Sequence, residues 1–317
     1  MGTPLTSARA GLKVLAAALP GDPESHTVLR WTCAHLTEVE LVHNQGPSDG
    51  AESPKAQADV AIICDDTDLA ERTERAGTPV VFVSSTGVPP ANGWPSARIR
   101  SLHRPGWLPA VPHRGVHRAG TVAPPRAVRA RHGRGALIRL AVPDAGDVEA
   151  CTRLLRTAQA VLTEGDLCPV FAVHLYGPGS EHVAAAVTTL VPDAAVLTDR
   201  DPAAERALAD ASLLVSSPAL TGVTLAQTAG VPLAVLPPFG AVQQQAAAVL
   251  DSADAPLVVL SDDRARRTYE AEALRRALDA PDELARWADA AQQAAGDDRR
   301  GGQRIARRVR QLLLAPM

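Results

Sequence analysis

Aromatic side chains are scarce in this 317-residue sequence, 3% in all. So thin a complement argues against a surface that stacks the bases of single-stranded nucleic acid. Lysine is nearly missing too: Lys13 and Lys55 stand alone, and arginine carries almost all the positive charge. With a net charge of −3 and a pI near 6.3, no general attraction to nucleic acid or to an anionic membrane is expected. Long apolar runs are absent. Lys13 interrupts the stretch from Gly11 to Leu19, and nothing approaches the roughly 20 residues of a membrane span. The four cysteines, Cys33, Cys64, Cys151 and Cys168, form no C-x-x-C pair and read as reduced core thiols of a cytoplasmic protein. His174 and His182 lack a matching Cys or carboxylate pattern, so no metal site is expected.

What the chain has is small apolar residues in quantity. The apolar share is 46%, mostly Ala, Val and Leu, enough core material for two domains. Short strand-like runs at 14–18, 39–42, 58–66 (ending in carboxylates) and 79–84 alternate with helix-like segments at 25–36 and 69–76. Short apolar strands alternating with helices indicate an α/β chain with parallel sheets covered on both faces. Residues 86–135 differ, being rich in Pro, Gly, Arg and His. A structureless stretch of that length is unusual, so short elements are expected there. The alternation resumes at Ala136, with strands at 136–142, 168–175, 194–197, 212–216, 232–236 and 256–260. The helix at 148–162 places Cys151, Leu154, Leu155, Ala158 and Leu162 on one face. From Asp262 onward the pattern is helical, and in the last helix Ile305, Val309 and Leu312 share a face opposite arginines. The expected division is residues 1–130 and 131–317.

The most informative stretch runs from Ser216 to Gly240, SSPALTGVTLAQTAGVPLAVLPPFG. It reads as strand end, loop of small residues, helix, turn, buried strand and a second loop. A small-residue loop opening a helix presents unpaired N–H groups and a positive helix end to an anion. The run resembles the nucleotide-sugar site of GT-B glycosyltransferases, the Ala229-Gly-Val-Pro232 turn followed by Pro-Pro-Phe-Gly being its most specific piece. The resemblance implies two Rossmann-like domains facing across a cleft, here with a shortened first domain and a helical C-terminal tail that crosses back onto it. It implies a UDP- or dTDP-sugar as donor substrate, with no separate cofactor, and a small-molecule acceptor.

Residue by residue, the resemblance assigns the donor's diphosphate to Ser216, Ser217, Thr221, Gly222 and Thr224. Gln227 or Leu225 falls where the family has a ribose-binding Glu. Gly240, with Gln243 or Gln244, matches the sugar-contacting segment, although Ala241 and Ala246 replace its usual Asp and Asn. The first loop of this half, Val142–Asp147, carries carboxylates where the family has a Gly/Ser turn. His26, at the start of the first helix, matches the base of the family, with Asp65 or Asp66 as its partner, although Asp22 and Glu24 make its loop acidic. One or two arginines of the 98–134 segment suit a carboxylate or phosphate in the cleft. The chain also resembles cytosylglucuronate synthase-type enzymes, which join cytosine to glucuronate. The alternative is a non-catalytic GT-B-like auxiliary or sensing protein with a degenerate donor site.

Overall fold

The structure is a computed structural model and describes residues 11–43, 58–109, 114–126 and 133–315. The first half contains β1 (Lys13–Ala18), α1 (Pro23–Cys33), β2 (Glu40–His43), β3 (Val60–Cys64), α2 (Thr67–Arg75), β4 (Val80–Ser84), β5 (Ile99–His103) and β6 (His117–Gly120). These strands form one parallel sheet in the order β2-β1-β3-β4-β5-β6. β3 and β4 are buried along their whole length, as unbroken apolar runs in a sheet covered on both faces must be. The Pro- and Arg-rich segment thus supplies two strands, β6 at the edge of the sheet and β5 beside it. Their polar sequences, IRSLH and HRAG, hide them from any apolar pattern.

The second half contains β7 (Ala136–Ala141), α3 (Val148–Glu164), β8 (Val170–Tyr176), α4 (Ser180–Leu190), β9 (Ala195–Thr198), α5 (Ala203–Ala209), β10 (Leu213–Ser216), α6 (Leu220–Ala229), β11 (Leu233–Val235), α7 (Gly240–Asp251) and β12 (Val258–Val259). Its sheet is also parallel, in the order β12-β11-β10-β7-β8-β9. Three helices follow: α8 (Arg267–Asp279), α9 (Glu283–Ala294) and α10 (Gly301–Leu314). The expected boundary between residues 130 and 131 lies outside the described residues. Among the described residues, no helix is long and apolar enough to cross a membrane.

Strand order fixes where ligands can enter. In the first sheet the chain leaves β1 for opposite sides, to β2 and to β3, so the loops after β1 and β3 diverge. In the second sheet the same happens at β7, between β10 and β8. Such switch points open crevices beyond the carboxyl ends of the strands. Loops from both crevices, Gly21–Glu24 and Ala141–Asp147 among them, line one shared cavity. The two halves therefore face each other across a cleft.

α10 closes the assembly by returning to the first half, where Ile305, Ala306 and Val309 join a core with Val28, Ile62 and Val83. The turn before it is held by Asp297. Its Oδ2 accepts from Gly106 N at 2.7 Å, Thr121 N at 2.9 Å and Thr121 Oγ1 at 2.7 Å. Gly120 is at φ +77°, and a Cβ there would stand 2.7 Å from Asp297 Oδ1, so glycine is required. Replacing Asp297 by Ala removes these three bonds and a fourth from Arg299 N to Oδ1, and is expected to cost about 2–4 kcal/mol. Asp297→Asn, which keeps an acceptor, is expected to cost less. Urea unfolding of both variants checks the order.

Candidate functional site in the cleft

The amino end of α1 forms the wedge of the cleft. Gly21 takes φ +74°, Asp22 caps the helix by accepting from Glu24 N at 3.0 Å, and Pro23 occupies the first turn. The cap and the proline start the helix two residues earlier than expected. They also push Glu24 across the cleft, where its carboxylate is buried against the amino end of α6. Thr221 N donates to Glu24 Oε1 at 2.9 Å and Thr221 Oγ1 donates to Oε2 at 2.5 Å. α6 has no side-chain cap of its own, so Glu24 supplies the anion that a helix start attracts. Burial pushes the Glu24 carboxyl up, while the bonds from Thr221 and the nearby Arg139 guanidinium draw it down.

Around this contact lies a cavity of about 300 Å³, lined by Asp22, Glu24, Tyr176, Leu220, Gly240 and Gln243, among others. Gln243 Oε1 accepts from Phe239 N at 3.0 Å, whereas its Nε2 is buried with no partner among the described residues. A second cavity, about 320 Å³, opens on the first sheet and is lined by Asp22, Asp65, Asp66, Thr86 and Asn92, among others. Asp22 is common to both. Asp65, at φ +60°, accepts from Ser85 N at 3.0 Å and is half-buried. Burial raises the carboxyls of both aspartates, taking Asp22 up to about 8, and Asp65 and Glu24 add to the rise at Asp22. Among the described residues, no three His, Cys, Asp or Glu side chains converge as a metal ion requires.

The other candidates fall as follows. Ser216 Oγ donates to Ser217 O, Ser217 Oγ accepts from Ala141 N, and Thr224 Oγ1 donates to Leu220 O. Their hydroxyls are thus engaged within the protein. Gly222 is buried with its Cα facing Ser216. Gln227 Nε2 donates to Asp289 and to Gln292, each at 2.7 Å, which ties α6 to α9. Gln244 is exposed and Leu225 lines a different pocket. His26 is exposed on α1 and lines neither cavity, its charged neighbour being Asp199. The structure therefore brings Gly240 and Gln243 together with Asp22 and Glu24. The sequence offered the two carboxylates only as acidity of a loop; the Asp-Pro-Glu spelling of a helix start was the signal that placed them.

Asp22 gives the site a pH signature. Its carboxyl titrates near 8 when folded against 3.8 as an ordinary side chain. The folded protein therefore keeps a proton that the unfolded chain has lost, and stability falls as pH rises from about 4 to about 8. Asp22→Asn is expected to flatten part of that slope. Melting temperatures of the two proteins from pH 5 to 8.5 check it.

Comparison with known proteins places this geometry. The spinosyn rhamnosyltransferase SpnG, complexed with spinosyn aglycone, is 15% identical, with a TM-score of 0.60 over 93% of this chain and 99% of that one. CalG4, the calicheamicin glycosyltransferase, is 15% identical, with a TM-score of 0.57 over 97% and 100%. MurG of Acinetobacter baumannii is 12% identical, with a TM-score of 0.52 over 95% and 99%. At such identities the likeness establishes the fold. No curated protein matches the sequence significantly. The family described as CGA synthase-related protein matches residues 14–317. This chain, with the GT-B architecture of those glycosyltransferases, belongs to the CGA synthase-related family.

Proposed function

We propose that the chain is a cytoplasmic glycosyltransferase that moves a sugar from a UDP- or dTDP-sugar to a small-molecule acceptor. The observation that carries this reading is the cavity shared by the two switch-point crevices, with Asp22 at its border with a second cavity. Donor sugar and acceptor could meet there with a carboxylate between them. SpnG, of the same fold, has been seen with thymidine diphosphate and with its aglycone. The four thiols, all unpaired, suit a reducing compartment.

In this reading Asp22, rather than the exposed His26, takes the proton from the acceptor as the glycosidic bond forms. A carboxyl raised to about 8 is a stronger base than an ordinary carboxylate and is matched to a near-neutral operating pH. The unpartnered Nε2 of Gln243 donates to a sugar hydroxyl. The polar second cavity, with Asp65, Asp66 and Asn92, receives an acceptor rich in O–H or N–H donors.

One observation favours the second reading, a non-catalytic auxiliary or sensing protein. Glu24 already holds the amino end of α6, where a donor diphosphate would be expected to sit. Calorimetric titration with UDP, dTDP, dTDP-glucose and UDP-glucuronate separates the two. Micromolar binding of one nucleotide sugar supports transfer, and cytosine is then the first acceptor to try. A folded protein that binds none supports the auxiliary reading. With an active pair in hand, kcat/KM is expected to rise from pH 6 to about 8.5, and Asp22→Asn to lower turnover about a hundredfold or more. His26→Ala is expected to leave turnover within about threefold, for the ring lines neither cavity.

A further inference from the structure

A third cavity, about 540 Å³, lies beside the first, between α1 and the second sheet. Trp31, Leu137, Leu214 and Leu225 give it apolar walls. Its charged groups are five arginines, Arg30, Arg126, Arg139, Arg200 and Arg206, against two aspartates, Asp199 and Asp201. Both aspartates are engaged within the protein. Asp199 accepts from Arg30 Nη1 at 2.9 Å and from Gly177 N at 3.1 Å, and its Oδ1 lies 3.4 Å from His174 Nε2. Asp201 accepts from Ala203 N at 2.7 Å. The cavity therefore keeps an excess of positive charge.

Arg139 is the unusual member. It sits in the middle of β7 and is 2% exposed, a location where a charge is costly unless balanced. Its guanidinium lies over the Tyr176 ring, 3.5 Å from the centroid, and Nη2 donates to Thr27 Oγ1 at 3.1 Å. Stacking and this bond fix the plane of the fork. Nη1 is buried and has no partner among the described residues. Among the described residues no carboxylate makes an ion pair with Arg139, although Glu24 is near enough for attraction. Tyr176 lines the first cavity and Arg139 the third, so the guanidinium stands where the two spaces adjoin.

We infer that the third cavity is an oxyanion-binding site in which Arg139 receives a phosphate or carboxylate group of a ligand whose planar or apolar body rests on Trp31, Leu137, Leu214 and Leu225. With the end of α6 taken by Glu24, the fixed guanidinium is the buried cation that remains for such a group. The exposed Arg126 and Arg206 draw the anion in from the rim. If the nucleotide-sugar reading holds, the group is the donor diphosphate, set between the nucleoside and the sugar cavity. The site itself does not require that reading.

Calorimetric titration of the full chain with UDP, uridine, inorganic pyrophosphate and glucuronate tests it, using wild type, Arg139→Gln and Arg139→Lys, with circular dichroism to verify folding. At least one anion is expected to bind the wild type, more weakly as salt is raised. Arg139→Gln is expected to weaken that anion about tenfold or more and Arg139→Lys by less, while any uridine binding stays unchanged. Should the Gln variant fail to fold, the Lys variant and the rim variant Arg206→Gln carry the comparison. Dependence of pyrophosphate or glucuronate on Arg139 without any response to UDP keeps the oxyanion site and removes the nucleotide donor. UDP binding that ignores Arg139 keeps the donor and overturns the site, as does a wild type that binds none of the anions.

Discussion

A carboxylate from one half of the chain caps a helix of the other half, and the cleft is organised by that contact. Glu24 reaches Thr221 because Asp22 and Pro23 start α1 at the rim of the first sheet. The amino end of α6 needs a partner because Ala219 offers none. Once joined, the two helices divide the space between the sheets into separate cavities and set Asp22 on the border between two of them. Removing a partner from such a contact would leave either a buried unpaired carboxylate or an uncapped helix end.

The architecture was legible in the sequence where burial is complete. β3, β4, β7 and the helix α3 announce themselves as continuous apolar runs or helical spacing, and the two parallel sheets follow. β5 and β6, beside and at the edge of the sheet, were not, since their short polar sequences carry no apolar run and draw their stability from packing against neighbours. The site was legible in outline only. The small-residue run around Thr221 did mark a helix start at the cleft, but hydroxyls at a helix start can bond inward as readily as outward, and only tertiary packing decides. Ser217 serves β7 and Gln227 serves α9 for that reason. Arg139 was invisible because a lone arginine inside an apolar strand carries no periodic signal.

The neighbours of known structure share the two facing sheets. Where its resemblance to GT-B enzymes calls for Glu, Asp and Asn, the chain has Leu225 or Gln227, Ala241 and Ala246, and its charged groups stand elsewhere, on α1 and in mid-strand. Acidic groups gather on the side of the first sheet and basic groups beside the second. A ligand that spans the cleft would thus meet carboxyl groups at one end and guanidinium groups at the other.

The return of α10 has a consequence for how the chain is made. The first sheet is complete by Gly120, yet Ile305, Ala306 and Val309, which cover part of its apolar face, belong to the final helix. During synthesis that face stays uncovered while almost two hundred further residues emerge, and the second sheet is free to form first. The core of the amino-terminal half is therefore completed only after α10 has been made, and until then that face is open to wrong partners.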